Sequence, residues 1–186
     1  MRLSASLIAA AIGLVIATTG IGLAAPTDPD PADAGAIREC LGGKAGAKAQ
    51  EACIPLIVDR CFKEVGNEWD MTVRDCNRRG QEAWDRILNE AYQALREKLN
   101  ARRFAVLRKL QRAWIKVKEK RCNRFWEEFR GTMAHPMIAA CDHRETARRA
   151  LFLLNYRGGR PQDLLPFVKR NCGAVTPRRK SHLQRC

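Results

Sequence analysis

Cys122, His135, Cys141 and His143 are the residues whose types first suggest chemistry, because four Cys/His ligands are what a zinc ion takes. Zinc sites usually draw such ligands from close pairs such as C-x-x-C, and here the first gap is long. The cysteine usage described below favours disulfides instead, so no metal or cofactor is expected. Glu127 and Glu128 are adjacent, so on a helix they diverge and make no facing acid/base pair. Asp85 and Asn89, four apart, share one helix face. Their expected role is hydrogen bonding to a neighbouring helix or loop. Arg149, close to Thr146, is expected to form an ion pair with a carboxylate such as Asp85. The chain has no G-x-S-x-G, no H-E-x-x-H, no phosphate loop and no Gly-rich dinucleotide turn. The expectation is a binding protein and not an enzyme.

The elements that would position these residues begin after an address. Met1-Arg2 is a short positive start, "LIAAAIGLVIAT" from Leu7 to Thr18 is apolar, and Gly22-Leu23-Ala24 offers small residues for cleavage. This pattern predicts a signal peptide over 1–24; the apolar core is short for the alternative, an uncleaved membrane anchor. No later segment is long and apolar enough to span a bilayer. Residues 25–35, "APTDPDPADAG", are Pro/Asp-rich and read as a flexible leader. All eight cysteines follow, which in an exported chain predicts disulfides and a periplasmic or extracellular location. The spacings Cys40–Cys53 and Cys61–Cys76 suggest two short loops, each closed by its own bridge at about 3 kcal/mol of stabilisation.

Helical periodicity dominates from Gly80. Trp84, Ile87, Leu88, Ala91, Tyr92, Leu95 and Leu99 mark one apolar face; Phe104, Leu107, Leu110, Trp114 and Val117 mark a second. Asn100 is a break between them. Two long amphipathic helices with a short connection pack antiparallel, because a single continuous rod would leave both apolar faces wet. A third helix is expected from about Pro136 to Leu154, with Ile138, Cys141, Ala150, Leu151 and Leu154 facing inward. The fold class is therefore all-α: a disulfide-stapled three- to four-helix bundle built on an antiparallel helical hairpin. Its domain spans 36–155, with a cysteine-rich N-terminal part, and a basic tail follows over 156–186.

Trp114 lies in phase with the leucines, which places it in the core. The alternative is an aromatic platform in a basic groove of the kind that nucleic-acid binders use. Between Arg102 and Arg124 ten Lys/Arg stand against Glu119 alone, and Lys109, Lys116 and Lys120 fall on the side opposite the leucines as a basic surface. The formal net charge is +14. From Tyr156 to Cys186 eight Lys/Arg face only Asp163, a local +7; Arg2 lies in the leader, so the mature chain carries +13. Such a balance favours anionic partners, among them anionic envelope polymers or a membrane surface, with no specific nucleic acid implied.

Several of these positions together resemble the LprI-type lysozyme-inhibitor family of secreted bacterial proteins. Cys76 precedes Asp85, Leu88, Asn89 and Tyr92 in a D-x-x-L-N-x-x-Y pattern. Gln111, Trp114, Ile115, Lys118, Glu119 and Cys122 follow as Q-x-x-W-I and a basic-acidic pair leading to cysteine. Gly131, Thr132, Cys141, Thr146, Arg149 and Leu153 close the series. Lys118 stands where the family pattern has arginine, and Val73 where it has methionine. The resemblance covers roughly Cys76 to Leu154.

What the resemblance implies is a small secreted helical domain tied by disulfides. Cys122 with Cys141 is the foremost bridge, followed by Cys61 with Cys76 and Cys40 with Cys53, while Cys172 with Cys186 remains for the tail. It also implies inhibition of lysozyme or another peptidoglycan hydrolase by occlusion. The loop Arg130–Pro136 is the candidate inhibitory element, with Arg130, Thr132 and His135 as the groups that reach a cleft holding two carboxyls. The competing reading of that loop is a turn and a helix cap. Cationic lysozymes would be repelled at long range by a +13 chain, which favours an acidic target or a role other than lysozyme inhibition.

Overall fold

The computed structural model describes residues 30–156. The elements are α1 (Pro31–Gly42), α2 (Ala47–Gln50), a 3-10 turn (Glu51–Cys53), α3 (Leu56–Val65), α4 (Asp70–Lys98), α5 (Ala101–Phe129) and α6 (Ala134–Leu154). The described residues contain no strand, and no helix among them is long and apolar enough to cross a membrane. The expected signal peptide, most of the expected leader, nearly all of the basic tail and the suggested pairing of Cys172 with Cys186 lie outside the described residues.

Pro31 to Gly35, read from the sequence as the end of a flexible leader, belong to α1. The local chemistry explains it. The Ala32 amide donates to Asp30 Oδ1 at 2.8 Å, so Asp30 caps the helix, and Pro31 occupies the first turn, where its missing N–H is not needed. Asp33 is then buried, and Arg79 on α4 binds it through two hydrogen bonds, at 2.6 and 2.9 Å. That carboxylate holds the Arg79 guanidinium more firmly protonated than usual.

Helix α4 starts at Asp70 and runs straight through Gly80, which the sequence pattern had suggested as its start. Its periodic residues turn inward as their spacing requires: Trp84, Ile87, Leu88, Ala91 and Leu95 are buried. The Leu99–Asn100 step ends it, with both residues extended, and the Asn100 side chain caps α5 by accepting from the Arg103 amide at 3.0 Å.

The hairpin is splayed. Helix α6 packs along both α4 and α5, most extensively on α4, while the backbones of α4 and α5 stay apart. Near the turn the rings of Tyr92 and Phe104 bridge the two arms at 5.4 Å. Serving two neighbours gives α6 a wide buried arc that takes in His143, Thr146, Ala147, Arg149, Ala150, Leu151 and Leu153. At its last turn this arc is centred on Leu153, and Leu154, expected inside, is half exposed. The N-terminal helices cover the remaining side of α4, where Ile37, Ile57 and Cys53 join the core around Trp84.

Three disulfides fasten the elements: Cys40–Cys53, Cys61–Cys76 and Cys122–Cys141. They join α1 to the 3-10 turn, α3 to α4, and α5 to α6.

Candidate functional site

The splay leaves a groove of about 440 Å³ between α4 and α5. Asp85, Asn89 and Tyr92 come from α4, one above the other at helical steps, with Leu88 beneath them. Arg108, Gln111, Arg112, Trp114, Ile115, Lys118 and Glu119 come from α5, and Thr146 of α6 supplies part of the floor. The wall is of mixed charge. Asp85 accepts a hydrogen bond from Asn89 Nδ2 at 2.8 Å, so these two residues satisfy each other on one helix and do not reach to a neighbouring element. Lys118 is tied to Asp142 of α6 at 3.1 Å.

Trp114 is buried, in phase with Leu107, and its ring is a wedge between α5 and α6. Arg149 packs against it from α6, with the guanidinium carbon 5.5 Å from the Trp114 ring and 4.6 Å from that of Phe152. Arg149 Nε donates to Gln111 Oε1 at 2.7 Å. The expected ion pair with Asp85 is not what the fold builds. Asp85 is exposed on the far wall of the groove, while Arg149 is buried beneath Gln111. Burial pulls the Arg149 guanidinium down to about 10, still charged at neutral pH.

His143 is a buried core residue, with Nε2 3.1 Å from the Ile54 carbonyl. The same carbonyl accepts from Trp84 Nε1 at 3.3 Å. Loss of solvation pushes the His143 imidazole down to about 4, so it is neutral at pH 7 and donates through Nε2. Cys122 and Cys141 are bonded to each other and His143 is occupied in the core, so these three residues have structural roles.

His135 lies at a different place, the exposed tip between α5 and α6. Its ring packs on Trp126 at 5.3 Å, and Trp126, Phe129 and Met133 are each about half exposed there, at 48%, 45% and 52%. Arg130 and Thr132 are exposed on the same tip. Arg130 takes φ 35°, the left-handed region that non-glycine residues seldom adopt, and Gly131 follows at φ 134°. Behind the tip, α5 and α6 are held together by Cys122–Cys141, Lys118–Asp142 and Arg121–Glu145 at 2.8 Å. The tip is thus brought together with aromatic residues that the sequence reading did not connect to it. The signal was present: Phe125, Trp126 and Phe129 close an otherwise basic helix without a partner run beyond Gly131.

Lys109, Lys116 and Lys120 are exposed on the outer side of α5, as far from α6 as the helix allows.

Together these features define a disulfide-stapled, all-helical domain with a grooved face and an aromatic tip. Residues 63–153, just under half of the chain, match the family model described as lysozyme inhibitor LprI. Over that segment the chain is similar to the LprI family. No curated protein and no solved structure matches the chain. The matched segment runs from the end of α3 to the last turn of α6 and so contains both the groove and the tip. About half of the motif positions are architectural: Cys76, Leu88, Trp114, Cys122, Cys141, Thr146, Arg149 and Leu153 are buried. Asp85, Asn89, Ile115 and Glu119 are exposed and line the groove.

Proposed function

We propose that this chain is an exported lysozyme-inhibitor-like protein that occludes the cleft of a peptidoglycan hydrolase with the α5–α6 tip. The observation that carries the reading is the tip itself. Exposed Trp126, Phe129 and Met133 surround Arg130, Thr132 and His135 on a turn whose two helices are stapled behind it. A sugar-binding cleft with two carboxyl groups takes a cation or a hydroxyl donor at its centre and apolar surface around it. Arg130 supplies the first, Thr132 the second and Trp126 the third, while the His135 ring adds a hydrogen-bonding nitrogen. A pre-ordered tip loses little conformational freedom on docking, which is where affinity is gained in interfaces of modest size. The family's described activity and the three disulfides, which suit an oxidising compartment, support the same reading. The charge of the chain favours a hydrolase with an acidic rim.

The test is inhibition measured on the oxidised protein across hydrolases of several classes, with Arg130→Ala/His135→Ala and Trp126→Ala beside it. The tip variants should weaken inhibition by at least about tenfold, the effect of truncating a central interface residue. Full inhibition by both tip variants, with loss on Asn89→Ala/Ile115→Ala instead, would move the contact from the tip to the groove. No inhibition of any hydrolase by the wild-type chain would end the reading.

A further inference from the structure

The outer face of α5 is set apart by an unbroken row of cations at helical spacing. On the other helices several basic groups are matched with carboxylates: Arg38 with Glu90, Arg74 with Asp75, Arg78 with Glu82, Arg79 with Asp33 and Glu64. On α5 itself the two cations that face α6, Lys118 and Arg121, are also paired. Arg102, Lys109, Arg112, Lys116, Lys120 and Arg124 form no ion pair among the described residues. All six are exposed, with Arg112 at the rim of the α4–α5 groove. Arg112, Lys116, Lys120 and Arg124 succeed one another at i, i+4, the spacing at which like charges repel and destabilise a helix. Lys109 lies beside this ridge, and Arg102 extends it towards the α4 turn. At 1.5 Å per residue the row is roughly 33 Å long, with neighbouring side chains about 5–6 Å apart at their Cβ atoms.

We infer that this face is a binding site for a linear phosphate polymer of the cell envelope. The repeat of the ridge matches a chain that presents one anion per short repeat unit, and each anion placed between two of these cations relieves their mutual repulsion. Three of the six are arginines, whose planar fork suits phosphate oxygens. The face is on the outer side of α5, away from α6, so a polymer lying along it leaves the α5–α6 tip open. The site is therefore independent of hydrolase inhibition.

The experiment uses the oxidised mature chain and long-chain inorganic polyphosphate as the probe, with binding followed by calorimetry from 50 to 200 mM NaCl. Six contacts at roughly 0.7 counterion each predict a weakening on the order of a hundredfold across that range. Lys109→Gln/Lys116→Gln/Lys120→Gln exchanges good helix formers for another, so the far-ultraviolet dichroism should not change. This variant should lose at least tenfold in affinity and about two units of salt slope. The control neutralises the same number of cations in the tail, Arg178→Gln/Arg179→Gln/Lys180→Gln, and should lose clearly less. Equal losses in the two variants would overturn the proposal, since they would mean attraction by net charge without a site. Tighter binding of single-stranded DNA than of polyphosphate at equal charge would overturn it in favour of nucleic acid.

Discussion

A methyl group placed on Gly80 would come within 2.8 Å of Val58 Cγ2 and 3.1 Å of the His143 ring. Glycine in mid-helix ordinarily weakens the helix, and here its missing side chain is what lets α3 and α6 close on α4. Gly80→Ala should therefore destabilise the chain by about 1–3 kcal/mol, read as a lower urea midpoint. Gly35→Ala is the counterpart: nothing lies within 4 Å of its added carbon in α1, and the exchange should stabilise by about 0.5–1 kcal/mol. His143, the residue against which Gly80 packs, ties stability to pH. It is neutral in the fold down to about pH 4, whereas unfolded it takes up a proton near 6.5. Its contribution is complete above pH 6.5 and is lost as pH falls towards 4, by about 3 kcal/mol at 1.36 kcal/mol per unit. Unfolding midpoints measured between pH 7 and 4 should show that slope, and a His143→Gln variant should flatten it. None of this was legible in the sequence, where Gly80 looked like a helix start and His143 like a possible ligand. Their roles come from α6 lying across α4, a contact between residues far apart in the chain.

Among the elements, the α5–α6 pair is the one on which the proposed function rests. Cys122–Cys141 closes a sequence separation of 19 residues around the tip, and its removal should destabilise by about 3 kcal/mol. The Cys122→Ala/Cys141→Ala variant keeps Lys118–Asp142 and Arg121–Glu145, so it should remain helical by circular dichroism while the tip loosens. Inhibition should then fall in conditions where the variant is still folded; a variant that stays folded and inhibits like the wild type would show that tip order is irrelevant. Both long helices were legible at this scale, because six apolar residues on α4 and five on α5 keep helical phase. The break at Asn100 was legible too, since asparagine caps as well as interrupts. The relation between the two helices was less so. Periodicity names the face of each that is buried but not the partner, and α6 turned out to serve both. That arrangement leaves Asp85, Asn89 and Ile115 facing a groove instead of a neighbouring helix.

For the whole molecule, charge and covalent ties decide behaviour in solution. A net charge of +14 predicts that association with an acidic hydrolase slows as salt rises, while dissociation of the packed tip changes little; stopped-flow rates at 50 and 200 mM NaCl would separate the two. The amino-acid sequence by itself determined the all-helical class, the two long amphipathic runs, the burial of Trp114, the basic outer side of α5 and the family resemblance. All but the resemblance, which runs over three helices, depend on the order of residues within one helix, where a 3.6-residue repeat fixes which side chains share a face. Tertiary structure alone decided that Pro31–Gly35 belong to α1 and pair with α4 through Asp33, that Leu153 and not Leu154 turns inward, and that Arg149 meets Gln111 and not Asp85. It also decided that the helices part to form a groove and that the aromatic end of α5 gathers around His135. Those outcomes depend on how far apart two helices lie and at what point they cross, and that is set by the summed packing of several elements at once, which no local spacing encodes.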